Sequence, residues 1–183
     1  MKQLEKLGVS EYSIYDPARA YPKRRKPVEG AIAKAPGEKG AKTYHTGYIS
    51  GVFDLFHVGH VNLFKRAKEQ CEYLIVGVVS DKGVIKHKGV APFIPFDERI
   101  EMVRSCRYVD EAVEIPVDMN GPKDAWPMYQ YDAQFLGSDY INDPYWLDAQ
   151  KWLREHGSNL VFFPYTKETN STNIKALIEK KLV

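Results

Sequence analysis

Cysteine is scarce in this 183-residue chain: there are two, Cys71 and Cys106, and their separation fits no metal-binding pattern. Two ordinary thiols in a reduced, cytoplasmic protein are the simple reading. Long hydrophobic runs are also missing. None approaches the roughly 20 residues that span a bilayer, so no integral membrane segment is expected. The opening Met1-Lys-Gln-Leu-Glu5 lacks the apolar stretch of a secretory signal. Charge of one sign is scarce too, with a formal net charge of +2, but it is unevenly spread. Residues 1–43 hold ten Lys/Arg against five Asp/Glu, and the rest holds sixteen against nineteen. The basic excess lies in the leader, where the cluster Lys23-Arg-Arg-Lys26 is too small a signal to argue a nucleic-acid partner. What is plentiful is core material, 44% hydrophobic and 13% aromatic, enough for one domain with an extension.

The division falls near residue 43. In residues 1–43, Tyr12, Ile14, Tyr15 and Tyr21 are interleaved with Pro17 and Pro22, and a Gly/Ala/Pro/Lys stretch follows. That punctuation is too frequent for long helices or strands. The expectation is an extension lying over the body or a partner subunit. Closure of Lys23 to Lys26 over an anionic substrate, or contact with an anionic surface, are the other readings. Residues 44–183 are the expected catalytic domain.

The organising stretch is Gly51-Val-Phe-Asp-Leu-Phe-His-Val-Gly-His60. The apolar run before it reads as a strand over 44–53, and a helix is expected from about Val58 to Gln70. Val61, Leu63, Phe64 and Ala67 would face its core side. His57 and His60 are three residues apart, which places both on one face of the first helical turn. A helix N-terminus offers unpaired N–H groups and partial positive charge to a phosphate, and Gly51 and Gly59 allow close approach to the backbone. Strand, turn, paired histidines and helix together describe a phosphate-handling site.

Downstream, residues 73–80 are nearly all β-branched or apolar, as in a central parallel strand buried on both faces. Lys82, Lys86, His87 and Lys88 follow its carboxyl end in what reads as a loop, at the edge where open α/β sheets bind ligands. A helix is expected from Pro95 with Asp97 as its N-cap. Strands are expected over 111–115, 133–136 and 159–163, and helices near 125–131 and over 144–156. A final helix follows, with Thr169 or Asn170 as its cap. Arg107 and Asp110 are either an internal ion pair or ligand contacts. Tyr140, Tyr145 and Trp146 are either packing anchors or an aromatic box for a quaternary ammonium.

The motif Gly-x-Phe-Asp-x-x-His-x-Gly-His, met at Gly51, Phe53, Asp54, His57, Gly59 and His60, resembles the signature of the cytidylyltransferase branch of the nucleotidylyltransferases. Lys88-Gly89, Glu98-Arg99 and Arg107-Tyr-Val-Asp-Glu111 are similar to further strings of glycerol-phosphate and phosphocholine cytidylyltransferases. The closing segment 165–174 is similar in Thr166, Ser171, Thr172 and Ile174. It departs in having Tyr165 where the family carries an arginine, Glu168 for a glycine and Asn170 for a serine. Of the family's acidic pair after the fourth strand, only Asp139 is present, preceded by Gly137 and Ser138.

The resemblance, covering about residues 45–178, implies an α/β, Rossmann-like open sheet of five parallel strands in the order 3-2-1-4-5, with helices on both faces. It implies transfer of CMP from CTP to a phosphorylated small alcohol, releasing pyrophosphate, with Mg²⁺ carried on the CTP rather than by protein side chains. His57, His60 and Lys88 would be catalytic. Gly51, Val52, Phe53, Asp54, Gly59, Arg99, Gly137, Asp139, Thr166, Ser171 and Thr172 would surround the nucleotide. Asp54, Lys88, Tyr140 and Tyr165 are the candidates for the acceptor, and Asp139 could serve either substrate. A homodimer is implied by the resemblance alone. In place of the missing arginine, the sequence offers Arg99, Lys88, Lys167 or the Lys23 to Lys26 cluster. The rival readings are an ATP-dependent adenylyltransferase of the same superfamily and a non-catalytic nucleotide-binding module.

Overall fold

A computed structural model describes residues 42–164 and 171–182. Five strands form one sheet: β1 (Tyr44–Gly51), β2 (Cys71–Val79), β3 (Glu111–Ile115), β4 (Ala133–Gly137) and β5 (Asn159–Phe163). Every pairing is parallel, and the order is β3-β2-β1-β4-β5. The helices are α1 (Val58–Gln70), α2 (Asp81–Lys88), α3 (Phe96–Arg104), α4 (Pro122–Tyr129), α5 (Pro144–Glu155) and α6 (Ser171–Leu182). A 3₁₀ turn spans Ser138–Tyr140.

Alternation along the strands divides the core in two, because successive side chains leave a strand on opposite faces. On one face Leu74, Val76 and Val78 of β2 join Phe135 of β4 and Phe163 of β5 against Phe64 and Ala67 of α1 and Ile100 and Val103 of α3. On the other face Ile75, Leu136 and Leu160 pack with Ala125 and Tyr129 of α4 and Ala149 and Leu153 of α5. There Tyr48 of β1 is stacked between Tyr129 and Tyr131, with ring centroids 5.2 and 4.9 Å away. The result is the expected sheet with helices on both faces. Because α1 leaves β1 toward one face while β4 enters on its other side, the carboxyl end of β1 is the switch point of the sheet, where a crevice opens.

Four local expectations are corrected. Residues 81–88, read as a loop, form α2. Ser80 caps it by accepting from Gly83 N at 3.4 Å, Gly83 and Val84 are buried, and Gly89 closes it with φ 72°. Lys86, His87 and Lys88 in its last turn suit the negative end of the helix dipole. Asp97 does not cap α3. Pro95 occupies that position without a side-chain bond, and the Asp81 carboxylate instead accepts from Phe96 N at 3.2 Å. α4 starts at Pro122, whose fixed φ suits a first helical position, and it ends at Tyr129 because Gln130 turns left-handed with φ 44°. Arg107 and Asp110 do not pair with each other. Asp110 holds Lys68 Nζ at 2.5 Å and Leu74 N at 2.6 Å, tying α1 to β2, and the Arg107 guanidinium lies over the Tyr108 ring. The expected caps at Thr169 or Asn170 lie outside the described residues.

Candidate active site

The turn from β1 into α1 is strained where the motif lies. Phe53 and Leu55 have φ of 54° and 50°, a left-handed conformation that non-glycine residues adopt at a cost of order 1–3 kcal/mol each. Gly51 accommodates it: a Cβ there would meet the Phe53 ring at 2.8 Å. Phe53 turns inward, its ring edge-on to Phe64 at 5.1 Å and to His60 at 5.3 Å.

His57 is the N-cap of α1. Its Nδ1 accepts from Gly59 N at 3.0 Å, while His60 Nδ1 accepts from His57 N at 3.4 Å. This is a capping box built from two imidazoles in place of the usual hydroxyl and carboxamide. Its chemical consequence is a fixed tautomer. A ring nitrogen that accepts carries no proton, so in both neutral rings the proton sits on Nε2, which becomes a directed N–H donor. The rings stack with centroids 3.9 Å apart. Burial lowers the His57 pKa below its ordinary value. Burial, with His57 beside it, pushes His60 down to about 3. At neutral pH the pair is therefore uncharged and donates hydrogen bonds without acting as a general acid.

Asp54 is buried, with 5% of its surface exposed. Its Oδ1 accepts from Leu55 N at 3.1 Å and Ile94 N at 3.0 Å, and its Oδ2 from Phe93 N at 3.1 Å. Lys175 of α6 completes the group, with Nζ 2.8 Å from Oδ2. Burial works to raise the pKa, yet the bonds from Lys175, Phe93 and Ile94 hold the carboxyl below its ordinary value. Asp54 thus fastens the segment after α2 to the end of β1.

These residues border a cavity of about 520 Å³ at the carboxyl ends of β1 and β2. Ser50, Gly51, Val52, Phe53, Asp54 and His60 form its β1–α1 wall. His87 and Lys88 enter from α2, Lys175 from α6, and Tyr140, Tyr145 and Trp146 from the far side. Tyr140 and Tyr145 lie 5.6 and 5.3 Å from Trp146, centroid to centroid, and Tyr145 Oη donates to Asn120 O at 2.9 Å. The three aromatics are both packed on one another and open to the cavity.

Arg99, expected beside the nucleotide, is placed otherwise. It is 1% exposed. Its guanidinium donates to Ile94 O at 2.9 Å, to Val52 O at 2.5 Å and to Asp81 at 2.7 Å. It is a strut beneath the cavity, spending its fork on the backbone of the β1 turn and on α2. Gly137 ends β4 and Asp139 lies in the 3₁₀ turn that follows. Ser171 opens α6 with Thr172 beside it. Tyr165, Thr166, Glu168 and Lys167 lie outside the described residues. Lys175 was missed from the sequence: it is 121 positions from Asp54 and lies outside the strings that carry the resemblance, so only the fold brings the two together. Among the described residues, no three His, Cys, Asp or Glu gather to hold a metal ion. No helix of the described residues is long and apolar enough to cross a membrane.

A parallel sheet with a strand–turn–helix element at its switch point, neutral imidazole donors and cavity-lining lysines is the arrangement of a nucleotidyltransferase-type protein. Comparison with known families gives the particular group: residues 48–178 match the model described as cytidylyltransferase-like, and the chain belongs to that family of nucleotidyltransferases. A FAD synthase of Pyrococcus horikoshii is 43% identical over 139 residues, 72% of this chain and 88% of that protein. An ethanolamine-phosphate cytidylyltransferase of Arabidopsis thaliana is 39% identical over 93 residues, 50% of this chain but only 21% of the plant protein. Among solved structures, a lipopolysaccharide core biosynthesis protein from Thermoplasma volcanium superposes with a TM-score of 0.55 at 24% identity, covering 69% of this chain and 99% of that one. That likeness concerns the fold.

Proposed function

We propose that the protein transfers CMP from CTP to the phosphate of a phosphorylated small alcohol or amino-alcohol, giving a CDP-alcohol and pyrophosphate. The observation that carries this reading is the imidazole capping box of His57 and His60, two neutral Nε2–H donors at a helix N-terminus beside a cavity that also holds lysines. An acceptor phosphate is ionised at neutral pH and needs no general base. Its oxygen attacks the α-phosphorus of CTP, the bond from that phosphorus to the bridging oxygen breaks, and pyrophosphate leaves with the electron pair. The protein's task is alignment and charge neutralisation. His57 and His60 donate to α- and β-phosphate oxygens, Lys88 draws the acceptor phosphate to the α-phosphate, and the backbone around Gly51, Val52 and Gly59 admits the nucleotide. Ser171 and Thr172, at the start of α6, take the β- and γ-phosphates, and Thr166, Gly137 and Asp139 complete the nucleotide side. A divalent cation, Mg²⁺, neutralises the triphosphate when bound with it. Tyr140, Tyr145 and Trp146 offer aromatic faces to the acceptor's organic part, and Tyr165 is a further candidate for contact with it.

The support for cytidylyl transfer is Arg107 to Glu111 and the resemblance to ethanolamine-phosphate cytidylyltransferases. Two FAD synthases, at 33% and 43% identity and each covered over 88% of its length, favour a second reading in which ATP is the donor. Pyrophosphate release from CTP and from ATP, each against phosphocholine, phosphoethanolamine, glycerol phosphate and FMN, separates them. A signal with CTP and one of the first three acceptors supports the proposal. A signal confined to ATP replaces it with the second reading.

A further inference from the structure

Resting on the reading that the cavity takes a nucleotide and a phosphorylated acceptor, we infer that Ser50, oriented by Gln134, binds a hydroxyl of the acceptor and selects a neutral polyol phosphate over a phosphorylated amino-alcohol. The cavity has two halves, because it straddles the end of β1. On the side of α1 its wall carries Phe53, Asp54 and His60. Ser50 lies two positions after Tyr48 in β1 and shares its face of the sheet, the face packed against α4 and α5. There the wall continues with Gln134, Ala125, Tyr145 and Trp146. The imidazole donors belong to the first half, which leaves the second for the organic part of the acceptor.

Gln134 is 1% exposed, on the same face as Leu136 and Leu160. A buried amide costs free energy unless its groups are paired, and here both ends are. Tyr131 Oη donates to Gln134 Oε1 at 2.9 Å, and Gln134 Nε2 donates to Ser50 Oγ at 3.3 Å. Tyr131 is itself buried, so the chain of hydrogen bonds starts in the core and ends at the partly exposed Ser50. With one lone pair taken by Gln134, the serine hydroxyl presents its proton and its second lone pair to the cavity. A ligand hydroxyl meets both, because it donates and accepts. A primary ammonium only donates, and a trimethylammonium does neither. An ammonium also finds no counter-charge. Among the described side chains, the carboxylate on the wall is Asp54, and it already accepts from three backbone N–H groups and Lys175. Lys88 and Lys175 add positive charge to the wall. Tyr145 and Trp146 pack against the carbon chain of either kind of acceptor, so discrimination falls to Ser50 and to charge.

The test is CTP-dependent pyrophosphate release by the full-length protein with glycerol phosphate, ribitol phosphate, phosphocholine, phosphoethanolamine and propyl phosphate, the last having no free hydroxyl. The wild type should favour one of the two polyol phosphates over the other three acceptors. In Ser50→Ala, kcat/KM for that polyol should fall about tenfold, with the value for propyl phosphate and the KM for CTP unchanged. Ser50→Thr, which keeps the hydroxyl, should retain most of the preference. Gln134→Met, acting through Ser50, should lower the polyol-to-propyl ratio in the same direction. Each ratio is internal to one variant, so a loss of folded protein lowers both terms equally and leaves the test intact. A wild type that favours phosphocholine or phosphoethanolamine, or accepts propyl phosphate as well as the polyols, would overturn the inference. So would a Ser50→Ala variant with an unchanged ratio. Absence of CTP-dependent release with every acceptor would instead overturn the proposed function, and with it the acceptor that Ser50 requires.

Discussion

In the proposed reaction, His60 concentrates most of the chemistry in one side chain. Its Nδ1 accepts from His57 N, its ring lies against Phe53 and Phe56, and its Nε2 carries the proton. His60→Ala should lower kcat at least a hundredfold, the usual consequence of losing a preorganised donor in the transition state, measured as pyrophosphate release. Burial of the same ring has a pH signature. Its folded pKa, about 3, lies below the ordinary histidine value near 6.5. On acidification from about 6.5 the unfolded chain therefore binds a proton that the folded protein does not, and stability falls across the interval down to about 3. Denaturant midpoints between pH 7 and 5 should fall in the wild type and fall less in His60→Asn. A slope that is the same in both would contradict the burial of a neutral imidazole. The motif's residue types made both histidines legible in the sequence. Their tautomer was not, because it depends on where the backbone N–H groups of His57 and Gly59 point.

Among the elements, α2 and α3 show most clearly what the string of residues conceals. Residues 81–88 have Gly83 in the first turn and little apolar periodicity, so they read as a loop. The helix is secured by features outside that window: the Ser80 cap, the burial of Val84, and the clamp of Asp81 on Phe96 N and Arg99. Arg99 was legible as a motif residue but not as a strut, since a motif specifies a residue type and not the direction in which it points. Its burial yields an element-scale prediction. Arg99→Ala removes the side-chain donor to the Val52 and Ile94 carbonyls, strips the Asp81 carboxylate of its cation and opens a cavity, and should destabilise the protein by about 3 kcal/mol or more. Arg99→Lys should recover only part of that, because an ammonium cannot reproduce three divergent guanidinium bonds. Urea denaturation measures both. A loss below about 1 kcal/mol in Arg99→Ala would contradict the strut.

For the whole molecule, the α/β class follows from features the sequence states openly, whereas the sheet order was implied by the resemblance alone. The β-branched run of β2 marks a central strand, and strands alternate with helices along the chain. The meeting of Asp54 with Lys175 was illegible because it joins the first strand's end to the last helix across most of the chain. The core of the described residues begins at Tyr44, and Lys42 already donates to Lys68 O at 2.6 Å and Cys71 O at 2.9 Å. A chain beginning at Lys42 should therefore fold cooperatively, with a thermal midpoint within a few degrees of the full chain. A failure to fold would make residues 1–41 part of the core. The most direct test of the whole account is ³¹P NMR of the full-length protein with CTP, Mg²⁺ and each phosphorylated alcohol or amino-alcohol in turn. The account predicts, with one acceptor, loss of the CTP and acceptor resonances with equal gain of pyrophosphate and of the paired resonances of a CDP-alcohol. Release of orthophosphate alone, or an unchanged spectrum across the acceptors, would contradict cytidylyl transfer.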